Sequence, residues 1–114
     1  MPRQEPIDRR EKALQRIRVL QEEIASLGLV AHGTVVRTFK TCGKDACRCA
    51  QKGDPGHGPY DVWSRIEKGR LVRSALSEEE ASLFRNAVGE YQRLRRLVRR
   101  WEAISTRGIR TETT

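Results

Sequence analysis

Cys42-Gly43-Lys44-Asp45-Ala46-Cys47-Arg48-Cys49, closed by Gly56-His57-Gly58-Pro59-Tyr60, holds all three cysteines of this 114-residue chain and one of its two histidines. The spacing is Cys-x4-Cys-x-Cys-x7-His. Three thiolates and one imidazole make a complete tetrahedral set for zinc. Soft sulfur with imidazole suits Zn²⁺ better than magnesium or calcium. Cys47 and Cys49 are two apart, so an extended segment would aim both the same way. Gly43 permits a tight turn after Cys42, and Gly56 and Gly58 free the loop that carries His57. Lys44, Arg48 and Lys52 would offset the thiolate charge. His32 competes as fourth ligand, and Asp45 is a more remote candidate. Three incidental thiols, or a Cys42–Cys47 redox pair, are the competing accounts. Four protein ligands leave no open position, so the expected ion is structural, one per chain. Its contribution would be folding free energy for a sheet too small to hold itself.

Outward from the cluster, the chain reads as α+β. Residues 1–7 carry two prolines and suggest a flexible arm. Asp8 with Glu11 has the form of a capping box. Leu14, Ile17, Leu20, Ile24 and Leu27 then recur at helical spacing, which predicts a helix over residues 8–28 with Gly28 as terminator. Thr34–Phe39 is β-branched and bounded by glycine, a strand running into the cysteines. Tyr60–Ile66 and Arg70–Ala75 form a hairpin about Lys68-Gly69. Residues 30–76 are therefore a zinc-stapled module with a three-stranded antiparallel sheet. Ser77-Glu78-Glu79-Glu80 is a strong helix start. The long basic helix covers 77–105, and 106–114 are a flexible tail. Phe84, Ala87, Tyr91, Leu94, Val98 and Trp101 alternate by three and four, a coiled-coil seam. It predicts a helical hairpin in which the last helix pairs antiparallel with the first.

Composition fits a single small domain. Only 37% of residues are apolar and 33% are charged, and a core that small usually needs a staple. An odd number of cysteines cannot all pair, and a Cys47–Cys49 bridge would be strained. The polar N-terminus lacks the apolar core of a signal peptide, and no run approaches a membrane span. A cytoplasmic, reduced protein without membrane contact is expected.

Cys42, Gly43, Lys44, Cys47, Arg48, Cys49, Ala50, His57, Gly58, Pro59 and Tyr60, followed by a hairpin and a long helix, carry a resemblance. The pattern CGKxxCRCA…HGPY resembles a family of short prokaryotic proteins known only as a domain of unknown function, over about residues 30–105. That resemblance implies no established activity; it implies relatives near mobile-element genes. Asp61 departs from it, standing where an aromatic or apolar residue is expected.

The net charge is +8, which favours an anionic partner, nucleic acid first. On the last helix Arg85, Arg93, Arg96, Arg99, Arg100 and Arg107 fall in an arc of about 120°. From Tyr91 to Arg110 there are seven arginines and one acid, Glu102. An ordinary solvated face mixes signs. A second basic set, Arg37, Lys40, Lys44, Arg48, Lys52, Arg65, Arg70 and Arg73, belongs to the sheet and knuckle. Trp63 shares a strand face with Arg65, where it would pack on a helix or stack on a base. Arg93, Arg96, Arg99, Arg100, Lys44, Arg48, Arg65 and Arg73 are the candidate contacts to DNA or RNA. The expected function is a non-enzymatic, zinc-binding, nucleic-acid-binding accessory factor. The alternative is a protein-interaction adaptor or homodimer, using the helical hairpin and an apolar edge of Leu97 and Ile104, with a mobile-element protein as partner. No triad, phosphate loop or acidic metal pair supports an enzyme. A nucleophilic cysteine beside Arg48 would require the zinc assignment to fail.

Overall fold

The computed structural model describes residues 5–110, with the backbone alone at 5–7. The order is α1 (Glu5–Ala25), β1 (Thr34–Lys40), a 3-10 turn (Arg48–Ala50), β2 (His57–Glu67), β3 (Arg70–Leu76) and α2 (Glu78–Ile109). This is the expected α+β order. Residues divide into two compact units, one of 1–29 with 90–114 and one of 30–89. Helix α2 supplies residues to both.

In the first unit α1 and α2 pack together. Ala13, Ile17, Leu20, Leu97 and Ile104 form the buried cluster, with Ile24 and Trp101 against it. Arg9 donates to the Arg110 carbonyl at one end, and Arg93 reaches Glu23 at 3.9 Å at the other. Low numbers on α1 meet high numbers on α2, so the pair is antiparallel. Gly108 lies where an added Cβ would come within 2.8 Å of the Ala13 Cβ, so small residues let the backbones close.

Three helix boundaries and one seam differ from expectation. Helix α1 begins at Glu5, so Asp8 is not its cap, and of the arm residues 1–7 only 1–4 lie outside the described residues. It ends at Ala25 instead of Gly28, in a turn where the Ser26 hydroxyl donates to the Glu23 carbonyl at 2.6 Å. Helix α2 runs past Ser105 to Ile109; the tail positions 111–114 lie outside the described residues. The seam of α2 turns at Leu94 onto Leu97, Trp101, Ile104 and Gly108. Val98 is 40% exposed and Leu14 51%, while Leu97 and Ala13 are buried. A straight helix has 3.6 residues per turn, so a seven-residue stripe drifts about 20° per heptad, and the second successive step of three, from Leu94 to Leu97, turns the stripe further in that same direction. Leu97 and Ile104 are thus core, and the apolar edge assigned to them does not exist.

The second unit holds the sheet, ordered β1-β2-β3 and antiparallel throughout. The β2–β3 turn puts Lys68 and Gly69 at φ 50° and 77°, the mirror-type turn that matches strand twist. Strand β2 starts at His57, earlier than Tyr60, because its first residue pairs with Lys40 beyond a bulge in β1. One sheet face carries Val35, Arg37, Asp61, Trp63 and Arg65, and the first turns of α2 cover it. Trp63 stacks on Phe84 with ring centroids 4.4 Å apart, and Ala81 and Ala87 are buried. Ser77 caps α2: its hydroxyl accepts from the Glu80 N–H at 3.1 Å, and Glu80 accepts from the Ser77 N–H at 2.9 Å. Both orphan ends of a capping box are satisfied reciprocally.

Candidate metal centre

The chain from Lys40 to His57 is a string of tight turns. Cys47 N–H donates to the Lys44 carbonyl, Ala50 N–H to Cys47, and Asp54 N–H to Gln51. Cys47 and Cys49 lie across the start of the 3-10 turn Arg48–Ala50. They converge by chain curvature and not by the extended alternation their spacing suggested. The Sγ atoms of Cys42, Cys47 and Cys49 and a ring nitrogen of His57 all lie within 4.8 Å of one another. Cys42 Sγ is 3.4 Å from Cys49 Sγ, and Cys47 Sγ is 3.1 Å from His57 Nε2. The four can hold a metal ion. Tetrahedral ligands about 2.3 Å from zinc lie roughly 3.8 Å apart, a spacing between the closest of these contacts and their 4.8 Å limit.

Burial is graded: Cys49 is buried, Cys47 half-buried and Cys42 exposed. The Cys49 sulfur accepts the Cys42 N–H at 3.4 Å. Hydrogen bonding from Cys49, backbone first and then thiol, with help from Cys42 and His57, pulls the Cys47 thiol down to about 6. At Cys49 the Cys42 N–H lowers the thiol, but burial and the neighbouring thiols push harder and the net shift is upward. The group therefore already favours a thiolate at Cys47, the state a metal requires.

His57 and not His32 completes the set. The His32 carbonyl accepts the Trp63 Nε1–H at 2.8 Å, and its ring lies edge-on to Trp63 at 6.2 Å. Asp45 does not join the group. Asp54, which no sequence motif singled out, aims the His57 loop. Its carboxylate accepts the Gly56 N–H at 2.8 Å and both arms of the Arg48 contact at 3.1 and 3.2 Å. The Gly56 N–H and then Arg48 hold its pKa below the ordinary value. The signal was present as Asp54-Pro55-Gly56, a turn in which aspartate caps its own backbone two residues on. Gly56, at φ 100°, lies where a Cβ would meet the Lys40 backbone at 2.8 Å. Only glycine allows that approach.

Asp61 is buried at 6% exposure, bound to Arg37 on β1 at 3.3 Å and Arg85 on α2 at 2.8 Å. The Arg37 contact first, then the charge of Arg85, keeps its carboxyl below the usual range. The residue that breaks the motif's apolar pattern is thus a charged tie between strand and helix.

These contacts sort the candidate anion-binding arginines. Arg65 is engaged within its own hairpin: its guanidinium lies 3.7 Å over the Trp63 ring and bonds Glu67 at 2.7 Å and Ser74 at 2.8 Å. Arg48 is tied to Asp54, and Arg93 to Glu23. Arg96, Arg99, Arg100, Lys44 and Arg73 are exposed and, among the described residues, make no ion pair. Tyr60, the last residue of the motif, is 44% exposed. No helix is long and apolar enough to cross a membrane among the described residues.

Residues 10–85 match the family described as Domain of unknown function (DUF6788). The chain belongs to this family. The match takes in most of α1 and ends in the first turns of α2, so it lies earlier than the span 30–105 over which the resemblance runs. The matched segment contains Cys42, Cys47, Cys49 and His57; Arg93, Arg96, Arg99 and Arg100 lie beyond it. No curated protein and no solved structure matches the chain.

Proposed function

We propose that this DUF6788 protein is a non-enzymatic, zinc-stapled module that binds nucleic acid through its helical pair. The observation that carries this reading is a stretch of α2 on which Arg96, Arg99 and Arg100 are exposed and, among the described residues, make no ion pair. From Tyr91 to Arg110 the one acid is Glu102, and arginine suits bidentate phosphate contact. DNA and RNA both present such phosphates, and phosphate contact alone positions without reading sequence.

Zinc is the metal that the Cys3His group fits best. With four protein ligands its role is to hold the module's fold. Metal analysis of protein purified without chelator should find one zinc per chain, absent from Cys47→Ser. Folded, metal-free protein with three titratable thiols would remove the assignment and reopen cysteine chemistry.

The test of nucleic-acid binding is a salt titration against duplex DNA, single-stranded DNA and RNA. Affinity should fall steeply with salt, and the Arg96→Ala, Arg99→Ala, Arg100→Ala triple variant should lower the slope by about 0.9 for each duplex phosphate it no longer neutralises. An unchanged slope sinks the helix assignment. The adaptor reading survives on different residues from those first named, the exposed Leu14 and Val98, with a second copy or a mobile-element protein as partner. Light scattering separates the two, since a monomer at all concentrations argues against self-association.

A further inference from the structure

The sheet face turned away from the first turns of α2 is open, and it is not uniformly apolar. A cleft of roughly 370 Å³ on it is lined by Val36, Thr38, Phe39, Lys40, Val62, Ser64 and Arg73. We infer that this cleft takes one unpaired nucleotide of a single-stranded nucleic acid, its base on Val36 and Phe39 and its phosphate between Lys40 and Arg73. The inference rests on the nucleic-acid reading above and narrows it to a strand with exposed bases.

The cleft is built by register. Val36 pairs with buried Val62 and Ser64 with Arg73, so an exposed apolar side chain lies beside hydroxyls and a cation. The bulge between Thr38 and Lys40 then brings Phe39 and Lys40, neighbours in sequence, to the same cleft. Bulges re-aim side chains in this way at binding sites. The lining chemistry is selective. Two cations and, among the described residues, no carboxylate line it, so an anion is favoured. Thr38 and Ser64 offer hydroxyls that donate or accept, as base edges require. Of the lining side chains Val36 and Phe39 are each more than two-fifths exposed, a surface on which bases of any identity can stack. A duplex hides its base faces, so such a surface gains little from one. Every lining residue falls within the segment shared with the family.

The experiment is fluorescence anisotropy with a short labelled single strand and the matching duplex, on the full chain. Wild type is compared with Arg73→Ala, Arg73→Lys and Lys40→Ala. Arg73 and Lys40 are exposed and unpaired among the described residues, so these variants should keep wild-type circular dichroism and zinc content. The expected result is a weakening of affinity that is larger for the single strand than for the duplex. Arg73→Lys should recover part of it. The single-strand salt slope should drop by about 0.7 for each phosphate the variant no longer neutralises. Nucleic acid bound by every variant as by wild type overturns the cleft while leaving the helix reading intact. A concentration-dependent dimer abolished by Val36→Glu also overturns it, because a second copy then occupies the face. No binding of any nucleic acid at low salt removes the reading on which the cleft depends.

Discussion

In the helical unit the buried side chains are contiguous: Ala13, Ile17, Leu20, Leu97 and Ile104 touch as one cluster. In the β unit the buried residues are small or polar and dispersed, namely Cys49, Asp61, Val62, Ala81 and Ala87. The first unit is held by apolar area removed from water, which is proportional and forgiving. The second is held by a few directional ties: the Cys3His group, the Asp61 ion pairs and the Trp63 contacts. Directional ties fail all at once when one partner goes. The two halves of α2, one in each unit, thus obey different rules within a continuous helix.

On the zinc reading proposed above, the largest effect should come from taking away the ion. Structural zinc contributes about 10–16 kcal/mol of apparent binding free energy in small zinc peptides, far beyond a small domain's net stability. Chelation at neutral pH, or Cys49→Ser, should collapse NMR dispersion for residues 34–76. The α1–α2 pair should keep its signals and most of the helical circular dichroism. Simultaneous melting of both units would show that the division is geometric and not energetic. In the opposite direction, Leu97→Ala should cost about 2–5 kcal/mol, read by denaturant unfolding, with zinc content unchanged.

Gly33→Ala probes the β unit without touching the metal. Gly33 sits at φ 100°, and an added Cβ would press on the Ser64 carbonyl and come within 2.9 Å of Trp63 Nε1. Strain of this kind costs on the order of 1–3 kcal/mol. The effect should appear in the sheet's unfolding and not in the helical pair's.

Asp61 gives the comparison a pH axis. Its folded pKa is depressed, so its contribution is complete above the unfolded aspartate value of about 3.9. That contribution is lost as pH falls through the lower folded value. Acid would also release an ion held by the Cys3His group, so the measurement is the difference between wild type and Asp61→Asn. The gap in melting temperature should be constant between about pH 5 and about pH 7, where the carboxyl is ionised in both states, and should close below. A gap that persists unchanged to strong acid would assign Asp61 a purely steric role.

Much of this was legible in the residues. Element order followed from β-branched runs, the Ser77 box and helical periodicity, because these are local signals. The ligand group was legible because thiol and imidazole chemistry leaves few alternatives. Asp61 was not, since a lone charge in a strand reads as exposed until Arg37 and Arg85 are known to converge on it. The setting of Arg65 was hidden for the same reason: composition counts a charge but cannot see Trp63 beneath it.

The seam of α2 is where periodicity itself misled, and it supplies the smallest and sharpest test. Leu97 and Val98 are adjacent, both apolar, and the seven-residue pattern prefers Val98. The packed helix pair buries Leu97 to 4% exposure and leaves Val98 at 40%. Removing methyl groups from a half-hydrated site leaves no cavity for the surroundings to fail to fill. Val98→Ala should therefore change stability by no more than about 0.5 kcal/mol, and alanine's better helix propensity offsets part of even that. Denaturant midpoints for Val98→Ala and Leu97→Ala, measured side by side, fix the phase of the seam. Equal destabilisation would mean that Val98 is covered in solution, which the self-association reading requires and the nucleic-acid reading does not.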